Sequence, residues 1–244
     1  MYLTFERGFY MLNITLTDGR QFQLETVSPV ALKNEGTYGN GSIDWEDEGL
    51  HLYEIAAQIG IEGALAALVN GQLSPMTAFI KRDSTLQYVM ADDETGKAMI
   101  HRTALFLLAY GIKSLATPCK RVKGTVDNGL VYYDFVVEGN QFSAEALKDA
   151  ESAILSAISS NYPVGSRKFP YFKSKKELLT TGETYLLDYI DEHDDYGPVV
   201  MQVMNNFADL DQGLLLGDLS ILKAVHLTQE PQDGFCRVYA TVEL

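Results

Sequence analysis

The chain has 244 residues, 46% of them hydrophobic and 21% charged, with a formal net charge of −14 and an isoelectric point near 4.6. That length and composition suit one large or two medium globular domains with real cores. The negative charge excludes phosphate neutralisation over the whole surface, although a local basic patch stays open.

The longest apolar run, residues 104–112, is too short to cross a bilayer, and residues 1–10, with Glu6 and Arg7, do not read as a secretory signal. No membrane partner is expected. Cys119 and Cys236 lack pairing or metal spacing, which points to reduced thiols in a cytoplasmic setting.

Leu12, Ile14 and Leu16 alternate, Asp18-Gly19 follows, and Phe22 and Leu24 resume the alternation. That spacing predicts a β-hairpin, because Asp-Gly readily adopts the positive φ angles of a tight turn. Residues 27–50 hold Pro29, several glycines, Trp45 and an acidic run at 44–48, and read as a long insertion or loop. Leu52, Ile55, Ala56 and Ile59 mark a helical face closed by Gly60. Strands are expected at 67–69 and 86–90, with Asn70-Gly71 as a second tight turn. A helix starts at 92–94 and carries Met99, Thr103, Leu107 and Tyr110 on one side. A third hairpin, 122–126 with 131–137, turns at Asn128-Gly129. Ser143 is placed to cap the next helix, where Leu147, Ala150, Ile154 and Ile158 repeat at helical spacing. A short helix at 175–181 ends at Gly182, and strands at 224–227 and 235–242 close the chain. A domain boundary falls near Ala91.

Residues 69–112 read VNGQLSPMTAFIKRDSTLQYVMADDETGKAMIHRTALFLLAYGI. This stretch resembles the junction in threonyl-tRNA synthetases where the small TGS domain hands over to the editing domain, with the pattern VNG…L…DD..G…HS.AHLLA.AI. VDNGLVYYDF at 126–135 is similar to the family's IENGFYYDF, and FSAEALKDAESAI matches the helix that follows. GETYLLDYIDEH at 182–193, FADLDQGLLL at 207–216 (the family's YVDMCRGPHV) and the closing CRVYATVEL fall in the same order. The resemblance implies an α+β chain: a ubiquitin-like β-grasp TGS domain over 11–90, carrying the 27–50 insertion, and an editing-type α+β domain over 91–244. Neither the aminoacylation core nor an anticodon-binding domain is matched. The expectation is a freestanding, degenerate paralogue that does not activate threonine.

In that family the editing site removes serine mischarged onto threonine tRNA, using a His-x-x-x-His helix, a lysine, and a Cys-x-x-x-His segment preceded by an aspartate. Carried over singly, His101 matches the first histidine and Leu105 replaces the second. Leu186 falls at the lysine, Asp209 matches the aspartate, Asp211 replaces the cysteine and Leu215 replaces the last histidine. A leucine neither orients a water nor binds a metal, so no zinc and no cofactor are expected. His101 with Asp209 or Asp211 is the remnant from which a minimal general base could be built; the plainer reading is a partly buried histidine satisfied by a carboxylate. His51, His193 and His226 have no metal-ligand spacing.

Two basic clusters stand out. Lys120, Arg121 and Lys123 form one, and Arg167, Lys168, Lys173, Lys175 and Lys176 the other; both read first as solvated cations, and the second is the candidate contact to RNA. The leading expectation is a non-catalytic binding or regulatory module with tRNA, held weakly, or another protein as partner; the oligomeric state stays open. The alternative is an aminoacyl-tRNA deacylase of the seryl-tRNA(Thr) type, or a related ester hydrolase with an altered site. The space between the His101 helix and residues 209–215 discriminates them, being either open or plugged.

Overall fold

The structure, a computed structural model, describes residues 8–28, 49–181, 183–192, 198–210 and 213–244. Two compact units divide the chain, Met1–Ala91 and Asp92–Leu244. Both combine helices with sheets, as the expected α+β class requires.

In the first unit, β1 (Gly8–Leu16) and β2 (Gln21–Ser28) pair antiparallel across the Asp18-Gly19 turn, where Gly19 has φ +91°. Next come β3 (Leu50–His51), α1 (Leu52–Gln58), β4 (Ala66–Val69), β5 (Gln72–Pro75), β6 (Phe79–Ile80) and β7 (Ser84–Val89). The main sheet has the order β2-β1-β7-β4-β5. Its central pair, β1 with β7, is parallel, and its other pairs are antiparallel. β3 and β6 form a separate two-stranded ribbon. The alternation of Leu12, Ile14 and Leu16 puts all three on one sheet face, where they pack with Leu52 and Ile55 of α1 and Leu86 of β7. The Glu54 carboxylate accepts the His51 N–H at 2.7 Å, meeting one donor at the helix start. Val27 and Ser28 belong to β2, so the anticipated insertion begins too early; its residues 29–48, with Trp45 and the acidic run, lie outside the described residues.

The second unit opens with α2 (Glu94–Lys113), buried around most of its circumference. Then follow β8 (Cys119–Asp127), β9 (Leu130–Val137), α3 (Ala144–Ser159), β10 (Gly165–Phe169), α4 (Tyr171–Thr181), α5 (Thr184–Glu192), β11 (Val199–Met204), β12 (Phe207–Leu210), β13 (Ala224–Pro231) and β14 (Cys236–Glu243). Two antiparallel sheets result, β13-β14-β9-β8 and β10-β11-β12. The β8–β9 turn has positive φ at both Asn128 (+49°) and Gly129 (+83°), as a tight hairpin demands. Ser143 Oγ accepts the Ala146 N–H at 3.0 Å and caps α3. The helices α2 and α3 approach closely at Gly111, where a Cβ would stand 2.8 Å from the Ile154 side chain. α4 starts four residues before the expected position, at Tyr171, and α5, β10, β11 and β12 lie where the sequence suggested no element.

Candidate functional site

Three of the substituted or matched positions come together. Leu105 on α2, Asp209 on β12 and Leu215 beyond it are all buried, and with Arg102, Phe106, Gln202 and Leu210 they line a void of about 10 Å³. That is roughly the space of one water molecule. Residues 211 and 212, which belong to the segment bordering this space, lie outside the described residues. Gly124 lets it close: a Cβ there would lie 2.7 Å from the Tyr133 ring and 3.2 Å from Leu105.

Leu186 and His101 do not line that void. Leu186 on α5 is fully buried in a cluster with Tyr171, Leu178, Ile190 and Leu210. His101, one turn before Leu105 on α2, is half-buried beside Gly129, where a Cβ would come 3.5 Å from its ring. The His101 ring has no hydrogen bond or ion pair among the described residues. Asp211, like His193, lies outside them.

Asp209 engages an arginine, not His101. Its Oδ1 lies 3.1 Å from Arg121 Nη1 and accepts hydrogen bonds from the Leu210 N–H at 2.9 Å and the Tyr133 O–H at 3.4 Å. Burial pushes the Asp209 carboxyl above the usual carboxylate range, against the pull of Arg121.

Behind Asp209 runs a chain of buried charges that sequence reasoning missed. Arg121 Nη1 also donates to the Ala208 carbonyl at 3.0 Å, and the guanidinium sits over the Phe207 ring at 5.1 Å. Glu183, just before α5, accepts the Arg121 backbone N–H at 3.1 Å, and its other oxygen pairs with Lys113 Nζ at 2.9 Å. Arg121, Glu183 and Asp209 are all buried. Grouping Arg121 with the solvated cations is therefore corrected: Lys120 and Lys123 are exposed, but Arg121 is not. The cause is a β-bulge. Arg121 faces Phe135 and Lys123 faces Asp134, so one extra residue in β8 shifts the alternation and turns both Arg121 and Gly124 inward. A sequence reading that starts this strand at 122 has no means of seeing it.

The basic cluster sits on β10 and α4. Arg167, Lys168, Lys173 and Lys176 are exposed, with no ion pair among the described residues. Lys175 differs: its ammonium pairs with Asp191 at 2.7 Å and donates to the Tyr171 hydroxyl at 3.3 Å. Cys119 opens β8, and burial pushes its thiol pKa up; Cys236 opens β14, where burial does the same. Neither thiol is poised as a nucleophile. On β13, His226 pairs with Glu243 at 3.1 Å. No helix among the described residues is long and apolar enough to cross a membrane.

No family model matches the chain. The chain is 27% identical over 194 residues to the threonine–tRNA ligase of Symbiobacterium thermophilum, covering 78% of this chain and 30% of that protein. It is 25% identical over 221 residues to the threonine–tRNA ligase of Clostridium tetani, covering 89% of this chain and 31% of that one. The chain spans less than a third of the length of these curated relatives. Over most of its own length, it is related to a region of threonine–tRNA ligases.

Proposed function

We propose that residues 11–90 are a TGS-like β-grasp domain and that residues 91–244 are an editing-type domain whose hydrolytic centre has been replaced. Together they serve a binding or regulatory role linked to tRNA or aminoacylation. The β-grasp reading draws support from the first unit's sheet, in which the first and last main strands pair in parallel at the centre and hairpins flank them. The link to tRNA chemistry draws support from the relatives' name.

One observation carries the non-catalytic reading: Leu105 and Leu215 are buried around a void of about 10 Å³. Small-molecule sites occupy about 300–1,000 Å³. Hydrolysing an aminoacyl ester also needs a positioned base and donors for the developing oxyanion. Leucine offers neither, and the donors of Arg121 Nη1 are taken by Asp209 and the Ala208 carbonyl.

The test is hydrolysis of a labelled seryl ester on threonine tRNA, wild type against His101→Ala. The expected result is background turnover in both. Turnover well above background that disappears in His101→Ala overturns this reading and favours the deacylase. Leu105→His alone should recover nothing, because groups that act as a unit fail together.

A further inference from the structure

Charge is unevenly placed along this chain. Residues 165–181, which are β10, Pro170 and α4, hold five Lys and Arg against one Glu, a net +4; the remaining residues sum to −18 within the chain's −14. Asp191 neutralises Lys175 at 2.7 Å. Arg167, Lys168, Lys173 and Lys176 stay exposed, with no ion pair among the described residues.

The same segment displays the two most exposed large hydrophobic side chains of the described residues, Phe172 at 73% and Leu179 at 61%. At about 100° per residue, Phe172, Lys176 and Leu179 fall within about 60° of one another around α4, with Lys173 alongside. Tyr171, Ser174 and Leu178 are the buried side of that helix. The Phe172 ring meets the Tyr171 ring edge to face, with centroids 5.2 Å apart, and keeps most of its surface in water.

Geometry selects among the polyanions that four open cations attract. β10 is an edge strand, and Arg167 and Lys168 are neighbours on it, so their side chains leave opposite faces. A flexible single strand can follow both, whereas a rigid duplex or the face of a folded acidic protein reaches only one. The exposed ring makes the same choice. An A-form duplex keeps its bases stacked and paired, while unpaired bases splay out and stack on aromatic side chains.

We propose that β10 and α4 bind an unpaired stretch of RNA, with one base stacked on Phe172 and the neighbouring phosphates on Arg167, Lys168, Lys173 and Lys176. This rests on the reading of a role linked to tRNA, and it names the part of such an RNA that the surface takes. Leu179 has no π-face and only extends the apolar strip.

The probe is a short labelled RNA without self-complementarity, titrated into the full chain by fluorescence anisotropy at several salt concentrations. The same RNA annealed to its complement, and polyglutamate, are run beside it. The single strand should bind saturably and more tightly than the duplex or the polypeptide. Phe172→Ala should weaken it roughly fivefold to a hundredfold, the usual worth of one stacked base. The salt slope should not change, because no phosphate contact is lost. Phe172→Trp should retain the affinity, and Leu179→Ala should cost less than Phe172→Ala. Lys176→Ala, by contrast, should make the log–log salt slope shallower by about 0.7. Wild-type binding that Phe172→Ala leaves intact overturns the proposal, while the link to tRNA through the cations stands. Duplex bound as tightly as single strand also overturns it. So does polyglutamate bound as tightly as RNA, which assigns the surface to an acidic protein. Absence of saturable binding to either RNA overturns the proposal and the tRNA contact together. Should a variant fail to fold, the comparison of single strand with duplex on the wild type still decides.

Discussion

Replacing Arg121 by methionine removes the cation between two buried carboxylates. Glu183 keeps Lys113 at 2.9 Å, but Asp209 is left with the Tyr133 hydroxyl and the Leu210 N–H. Breaking a buried ion pair by deleting one partner costs about 3–5 kcal/mol. The lower end applies, because Lys113 survives and Asp209, already biased towards its neutral form, can take up a proton. A loss of about 3 kcal/mol lowers the melting temperature of a unit this size by roughly 6–12 °C. Far-UV circular dichroism reads the transition, and hydrogen exchange at β8 and β9 assigns it to the second unit. The loss should shrink as pH falls, since protonation neutralises the orphaned Asp209. A triple variant, Arg121→Met with Glu183→Gln and Asp209→Asn, should regain much of the loss, because no uncompensated carboxylate remains. Lys113 is then unpaired but reaches water, its side chain being 28% exposed. A single-variant cost below about 1 kcal/mol, or a triple variant no better than the single, refutes the idea that these charges depend on one another.

Elemental analysis of the purified protein should find far less than one zinc per chain, because Leu105 and Leu215 offer no ligand atoms near His101; near-stoichiometric zinc lost on His101→Ala would count against this. Threonine tRNA should bind weakly through Arg167, Lys168, Lys173 and Lys176, with a log–log salt slope no steeper than about −3 to −4 for four neutralised phosphates. Lys175→Ala should leave that slope unchanged, since Lys175 is held by Asp191, and binding that survives Arg167→Glu with Lys168→Glu contradicts the assignment. The Tyr88 hydroxyl donates to the Leu52 carbonyl at 3.2 Å, and burial pushes its pKa from 10.0 up to about 12. An unfolded chain gives up that proton first, so the Tyr88 contribution is whole below pH 10 and declines towards pH 12. Allowing for solvent screening, the decline is at most about 1 kcal/mol per pH unit. Tyr88→Phe should flatten the alkaline melting profile of the first unit, and an unchanged profile would refute it.

The turns were legible because their cause is local. Asn70-Gly71 and Asn128-Gly129 take positive φ at both positions, which few other pairs tolerate. α3 was legible from its cap and its spacing. β10, by contrast, reads GSRKF and is mostly exposed, so no apolar alternation marks it. β12 is four residues long and half-buried, too short for a period to register. At the candidate site, Leu105 and Leu215 could be flagged from the motif they interrupt. Arg121 and Glu183 could not, since 62 residues separate them and a bulge decides which way the arginine points. Leu186 packs in the α4–α5 cluster against Leu210, which also lines the void at Leu105; a motif match fixes a place in the chain and leaves such neighbours to the fold.

The parallel pairing of β1 with β7 also bears on when the first unit can assemble. Ile14 lies opposite Ser84, so the central pair of the sheet joins segments some 70 residues apart, a separation also spanned by the Asn13–Asp83 hydrogen bonds. Pairings between distant segments require loop closure before they return any stabilisation, and they slow folding. On the ribosome, the β1–β2 hairpin emerges early with Leu12, Ile14 and Leu16 unshielded, and no sheet can close over them until β7 has left the exit tunnel. A nascent chain stalled before Ser84 should therefore stay protease-sensitive, and protection should arrive in a single step once β7 is free to insert between β1 and β4.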